Sequence, residues 1–381
     1  MAPQTMPGLD GVIAAETRIS GVDGEAGELV IAGFPLEEIA GGATFEEMVT
    51  LLWNDVLPTG PELARFTSRL AAFRNLPAVT LEVLKAAAAS KMPVMDALLM
   101  AAATLRLSAH PTGESESSAS IEGILAQFPV VVAAYWRLLQ GEEPIAARPN
   151  LGHAANYLTM LTGSAPAAEQ VRALETYLCT VADHGLNAST FTARVIVSTR
   201  SDILSAVVGA LGALKGPLHG GAPGPALDMV FEIGSAERAE PVLRAALERG
   251  ERLMGFGHRI YKVRDPRADV LAAAASRLYS TEGDKDLYAL ALHVERTALR
   301  LLDEIKPGRR LHTNVEFYTA LLLHGIGLPS ELFAPTFAIG RVAGWIAHCL
   351  EQQRFDRLIR PQSAYTGDRN RKWMPIEQRH G

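Results

Sequence analysis

Apolar positions recur every three to four residues through most of this chain, the period of one buried face of an α-helix. Phe45, Met48, Val49 and Leu52 fall at i, i+3, i+4 and i+7. Thr44 followed by Glu47 carries the reciprocal capping signature at the start of that run, and Pro58-Thr59-Gly60 closes it. The same period predicts helices over 63–74, 81–90, 94–107 and 121–140. The last is apolar on most sides, which places it in the core of a larger lobe. After a loop at 141–149, helices resume over 152–161 and 167–181. Only 28–34 reads as extended, the second arm of a hairpin turning near Asp23-Gly24.

Two glycine-rich breaks divide the helical pattern. The stretch GPLHGGAPGP at 216–225 is the clearer, and GIGLP at 325–329 is the second. Between them lie shorter, more charged helices over 238–248, 267–279 and 285–304. The expected architecture is therefore all-α and two-domain. A large helical domain covers 1–220, with 328–381 returning to it, and a smaller helical domain at 221–327 is inserted. Glycines at the joints are compatible with hinge closure, or serve only as turns. No internal repeat and no low-complexity tract interrupts this plan.

Composition narrows the function classes. Across 381 residues, 36 Lys+Arg stand against 42 Asp+Glu, a formal charge of -6. That balance disfavours nucleic acid as a partner, since phosphate-backbone binding needs the opposite sign. Cys179 and Cys349 are too few for a disulfide framework or a cysteine-rich metal site, and they suit a reducing cytoplasm. Charge-free stretches such as 123–136 and 317–330 run to 14 residues and contain Pro or His, lengths of core helices rather than of membrane spans. The start, MAPQTMPGLDG, lacks a basic segment followed by an apolar one, so no signal peptide is expected.

The phosphate-loop, dinucleotide, nucleophile-elbow and zinc-protease motifs are all missing. What remains is a set of histidines in Gly- or Asp-rich settings. His184 lies in Asp-His-Gly-Leu-Asn where a helix breaks, and two glycines follow His219 and leave it uncovered. His258 follows Gly255-Phe-Gly257 and precedes Tyr261, Lys262 and Asp265-Pro266-Arg267. Each taken singly also reads as a satisfied polar residue or a helix cap. Arg341 interrupts an apolar helix (FAIGRVAGWIAHCLEQ), where a lone charge needs a partner or a ligand. Arg360 ends an exposed C-terminal stretch.

These blocks together resemble the citrate synthase family nearly end to end. GLDGVIAAETRISGVDGEAGELVIAGF, ADHGLNASTFTARVIVST, ALKGPLHGGA, GFGHRIYKVRDPRAD, NVEFY, FAIGRVAGWIAH and RLIRPQSAYTG follow in the family's order. The resemblance implies condensation of an acyl-CoA with oxaloacetate and hydrolysis of the resulting thioester, without metal or tightly bound cofactor. Acetyl-CoA enters and CoA leaves as substrate and product. By the same resemblance Arg267, Arg341 and Arg360 hold the carboxylates, for which planar guanidinium forks are suited. His184 and His258 hold the keto acid, with His258 donating to its carbonyl. His219 donates to the developing enolate, and Glu316 is the base. Arg360 crosses from a second subunit, which implies a homodimer. Arg259, Lys262, Arg309 and Arg310 are candidate contacts to the CoA phosphates, or else solvated charges.

The family usually carries Asp where this chain has Glu316. Basicity differs by only about 0.4 pKa units. Reach differs more, by one C–C bond of ~1.5 Å, and a misplacement of ~1 Å costs on the order of 100-fold. A site refitted around Glu is therefore expected. Smaller departures fall at Ala32, Met92, Leu99 and Pro223-Gly224. Three other readings compete: 2-methylcitrate synthesis from propionyl-CoA, a three-histidine zinc site, and a non-catalytic relative that binds CoA or keto acid.

Overall fold

The structure, a computed structural model, describes residues 6–9, 11–105, 116–219, 223–258, 260–281 and 284–379. Sixteen α-helices and one small antiparallel sheet account for their regular structure, which agrees with the all-α expectation. The sheet runs β1 (Ser20–Asp23), β2 (Glu28–Ile31) and β3 (Phe34–Pro35), with Asp23 opposite Glu28 at the hairpin turn.

Capping signals mark real helix starts. Thr44 and Glu47 bond each other's backbone at the head of Phe45–Asn54, whose apolar face (Phe45, Met48, Val49, Leu52) is buried. That helix ends earlier than expected, because Asp55 takes a left-handed cap. The Pro-Thr-Gly stretch instead opens the next helix, Gly60–Ala72, with Glu62 accepting from the Thr59 N–H. The predicted helix over 94–107 closes at Ala102, and part of the predicted run lies outside the described residues.

Helix Glu116–Leu139 is the central core element. Its Ile121–Leu139 part is long and apolar enough to cross a membrane by length and composition alone, once Glu122 and Arg137 at the two ends of the charge-free run 123–136 are counted in. It is 83% buried within the fold, so its hydrophobicity is consumed by packing against neighbouring helices.

Helix Phe333–Phe355 crosses this core and approaches Ala168–Val181 very closely. A Cβ on Gly344 would sit 2.2 Å from the Ala182 carbonyl oxygen, and one on Gly340 would sit 2.7 Å from Val181. Only glycine permits this spacing, and it brings Arg341 against the end of the facing helix. Gly344→Ala is therefore expected to destabilise the protein by about 1–3 kcal/mol, measured by denaturant unfolding. An unchanged midpoint would mean that the contact yields freely.

Candidate functional site

Helix ends converge on one large cavity of about 830 Å³. His184, His219, His258, Arg267, Glu316 and Arg341 all line it. The three histidines come from different breaks in the helical pattern, whereas Arg267, Glu316 and Arg341 sit on helices.

His184 stands in the turn between Ala168–Val181 and Ala188–Val197. Asp183 shapes that turn: its buried carboxylate accepts from the Gly185 N–H at 3.1 Å and from Ser20 Oγ at 2.5 Å. Asn187 caps the following helix by accepting from the Thr190 N–H at 3.1 Å. His184 Nε2 meets the Tyr261 hydroxyl at 3.1 Å. Burial, reinforced by the Arg267 and Arg341 cations, holds its imidazole neutral.

The Gly255–Gly257 turn presents His258. Both glycines adopt left-handed φ, and a Cβ on Gly255 would collide with Phe317 at 2.9 Å. The turn is laced to 312–314, where Gly257 N–H donates to His312 O and Asn314 donates to the carbonyls of Gly255 and Gly257. His258 Nδ1 accepts from the backbone N–H groups of Ile260 (3.1 Å) and Tyr261 (3.2 Å). A backbone amide can only donate, so the proton resides on Nε2. That nitrogen lies 3.2 Å from Arg267 Nη2, also a donor. Two converging donors are satisfied together by a shared oxygen.

Arg267 opens helix Pro266–Thr281 and is almost fully buried. Asp265 fixes it from behind, accepting from Arg267 Nε at 3.0 Å, Nη2 at 2.7 Å and the backbone N–H at 3.0 Å. Arg341, 1% exposed, donates Nε to the Val181 carbonyl at 2.5 Å and lies 4.7 Å over the Phe337 ring. Among the described residues no carboxylate forms an ion pair with it. Burial pulls its guanidinium down to about 10, partly offset by Asp183.

His219 Nε2 faces Ser189, 2.8 Å from Oγ and 3.4 Å from the backbone nitrogen. The amide can only donate to it, so Nε2 accepts and Nδ1 carries the proton. Trp345 steadies Ser189 by donating Nε1 to its hydroxyl at 3.0 Å. Burial and the Arg341 cation bring His219 down to about 4, and burial with Arg267 does the same for His258. Glu316 lies in the first turn of Val315–Ile326, whose cap Asn314 accepts the Glu316 N–H at 3.0 Å. Burial raises its carboxyl above the ordinary range, against an opposing pull from Arg267.

The site thus offers neutral imidazole donors, two guanidiniums and one carboxyl of raised basicity, an arrangement for anion binding with proton transfer. His184, His219 and His258 do not form a ligand set: among the described residues no group of three or more His, Cys, Asp or Glu is placed to hold a metal. Arg360 is exposed on the segment after Phe333–Phe355 and is not among the cavity's lining residues. Lys262, Arg309 and Arg310 are exposed and outside the lining, with Arg310 3.8 Å from Glu25. Arg259 lies outside the described residues. Sequence patterns gave no role to Ser189 or Trp345, nor to the N-terminal Gly8–Ala14 stretch, part of which walls the cavity.

The family model "Citrate synthase, C-terminal domain" matches residues 8–362. The chain belongs to the citrate synthase family. It is 39% identical to citrate synthase of Haloferax volcanii over the whole of both chains. Citrate synthase 2 of Bacillus subtilis is 40% identical over 98% of each. A 2-methylcitrate synthase of Shewanella oneidensis matches at 36%, again over 98% of each. Among solved structures, the Pyrobaculum aerophilum citrate synthase superposes with a TM-score of 0.89 at 36% identity, covering 98% of this chain and 95% of that one. The Thermoplasma acidophilum citrate synthase, solved with carboxymethyl coenzyme A and oxaloacetate, reaches 0.87 at 29% identity over 99% and 100%.

His219 and His258 are expected to titrate with midpoints near 4, followed by imidazole NMR across mildly acidic pH. Midpoints near 6.5, the ordinary histidine value, would contradict the burial of both rings.

Proposed function

We propose that the chain condenses acetyl-CoA with oxaloacetate in this cavity, releasing citrate and CoA. The observation that carries the reading is the pairing of two buried guanidiniums with a carboxyl and two neutral imidazole donors around one space. Arg267 and Arg341 bind the two carboxylates of oxaloacetate, and His184 helps to hold it. Glu316 takes a proton from the thioester methyl while His219 Nδ1–H donates to the thioester oxygen. The enolate carbon attacks the keto carbon, whose oxygen takes up its proton at His258 Nε2. Water then cleaves the C–S bond and the CoA thiol leaves. The preference for acetyl-CoA over propionyl-CoA follows the citrate synthases among the relatives, and a 2-methylcitrate synthase is the nearest competing reading.

In this reading 221–327 acts as a small domain that closes over CoA, with Lys262, Arg309, Arg310 and Arg259 supplying phosphate contacts. A second copy of the chain completes the site with Arg360, whose exposure on an extended segment leaves it free to reach across. The buried, unpaired Cys179 and Cys349 suit a reducing cytoplasm.

Release of free CoA thiol, with acetyl-CoA and propionyl-CoA compared, tests the substrate. Faster turnover with acetyl-CoA is expected, and a propionyl-CoA preference would reassign the enzyme. Glu316→Gln is expected to lower kcat by about 100-fold or more, and Glu316→Asp by about 10- to 100-fold, because the base is then too short. An Asp variant as fast as the wild type would show that the site is not fitted to Glu. The acid limb of the kcat profile is expected above 4.5, the ordinary glutamate value, because loss of the carboxylate removes the base and its affinity for the proton is raised.

Mixing inactive Arg360→Ala and Glu316→Gln subunits tests the shared site. One of the two sites in each hybrid dimer regains both groups, so about a quarter of wild-type activity should return after subunit exchange. No recovery would place Arg360 outside the partner's site.

A further inference from the structure

We propose that Glu295 is a positioning residue that holds Glu316 against the loop carrying His258 and the segment that leads into Arg267, an inference that rests on Glu316 being the base. Glu295 lies on helix Lys285–Ile305, is 7% exposed and does not line the cavity. Its carboxylate nevertheless gathers donors from the segments around the site. Oε1 accepts from Thr313 Oγ1 at 2.7 Å and from Arg264 Nη1 at 2.9 Å. Oε2 accepts from the Tyr318 hydroxyl at 2.6 Å.

Thr313 stands three residues before Glu316 and Tyr318 two after it, so one carboxylate grips the first turn of the catalytic helix from both sides. Arg264 stands three residues before Arg267. Thr313 also bridges Phe256, two residues before His258. A buried carboxylate is costly unless its lone pairs are engaged, and here three donors engage them, one a guanidinium. The arrangement matters more for Glu than for Asp at 316. The longer side chain has one more torsion to fix, so the backbone that launches it must be held more firmly.

A fold staple alone would lower stability without singling out one catalytic step. A positioning residue slows proton abstraction and acts only while Glu316 is present. The test uses the full chain, with Glu295→Gln and Tyr318→Phe made separately and each combined with Glu316→Ala. Steady-state turnover is measured with acetyl-CoA and with its methyl-deuterated form, alongside the oxaloacetate KM.

Glu295→Gln is expected to lower kcat by about 10- to 100-fold and to raise the deuterium isotope effect, and Tyr318→Phe by about 3- to 10-fold. The oxaloacetate KM should stay within about 3-fold, and neither change should cost further activity in the Glu316→Ala background. The same fold-loss in both backgrounds, or an unchanged isotope effect, would overturn the positioning role. Full activity of Glu316→Ala itself would overturn the base assignment instead. Should Glu295→Gln fail to fold, Tyr318→Phe carries the same cycle, and wild-type kcat in that variant overturns the proposal.

Discussion

Everything at this site depends on keeping two guanidiniums out of water. A buried cation is unfavourable unless its surroundings replace its hydration. Arg267 meets that demand inside the protein, through the Asp265 carboxylate. Arg341 meets it only in part, with a carbonyl, an aromatic face and the field of Asp183. A bound anion would meet the remaining demand. Glycines at 340 and 344 bring helix Phe333–Phe355 close enough for Arg341 to reach Val181.

The same burial decides what the histidines do. Low polarity and neighbouring cations remove their positive charge, so they present neutral N–H groups rather than cations to the cavity. Backbone amides then choose the tautomer, at Nδ1 of His258 and at Nε2 of His219. Each ring is thereby left with one proton directed away from its anchoring amide. Glu316 responds to burial in the opposite sense and becomes a better base. One dielectric environment thus leaves neutral N–H groups and a carboxyl of raised basicity side by side.

Much of this was legible in the sequence where a residue type is chemically unusual for its setting. An arginine in an apolar helix, a histidine before two glycines and a histidine after Gly-Phe-Gly all led to the cavity. Thr44 with Glu47 marked a true helix start, but helix ends did not follow, since Asp55 stops the helix one turn before the proline. The hidden part is tertiary. Ser189 and Trp345 orient His219 through contacts of long sequence separation, and no local pattern records them. Glu295 looks like an ordinary charge on a helix face until Thr313, Tyr318 and Arg264 close around it. Burial of Ile121–Leu139, by contrast, was legible, because a helix apolar on most sides has to be covered on most sides.

The most direct test of this account is the stability of Arg341→Met with and without oxaloacetate. A methionine of similar bulk removes a buried, incompletely paired cation, so the unliganded variant should gain about 1–4 kcal/mol over wild type. It should also lose the ligand-induced rise in Tm, which for wild type at about 100-fold excess over Kd corresponds to about 2.7 kcal/mol. A variant that is less stable without ligand and still stabilised by oxaloacetate would contradict the claim that Arg341 is held there for an anion.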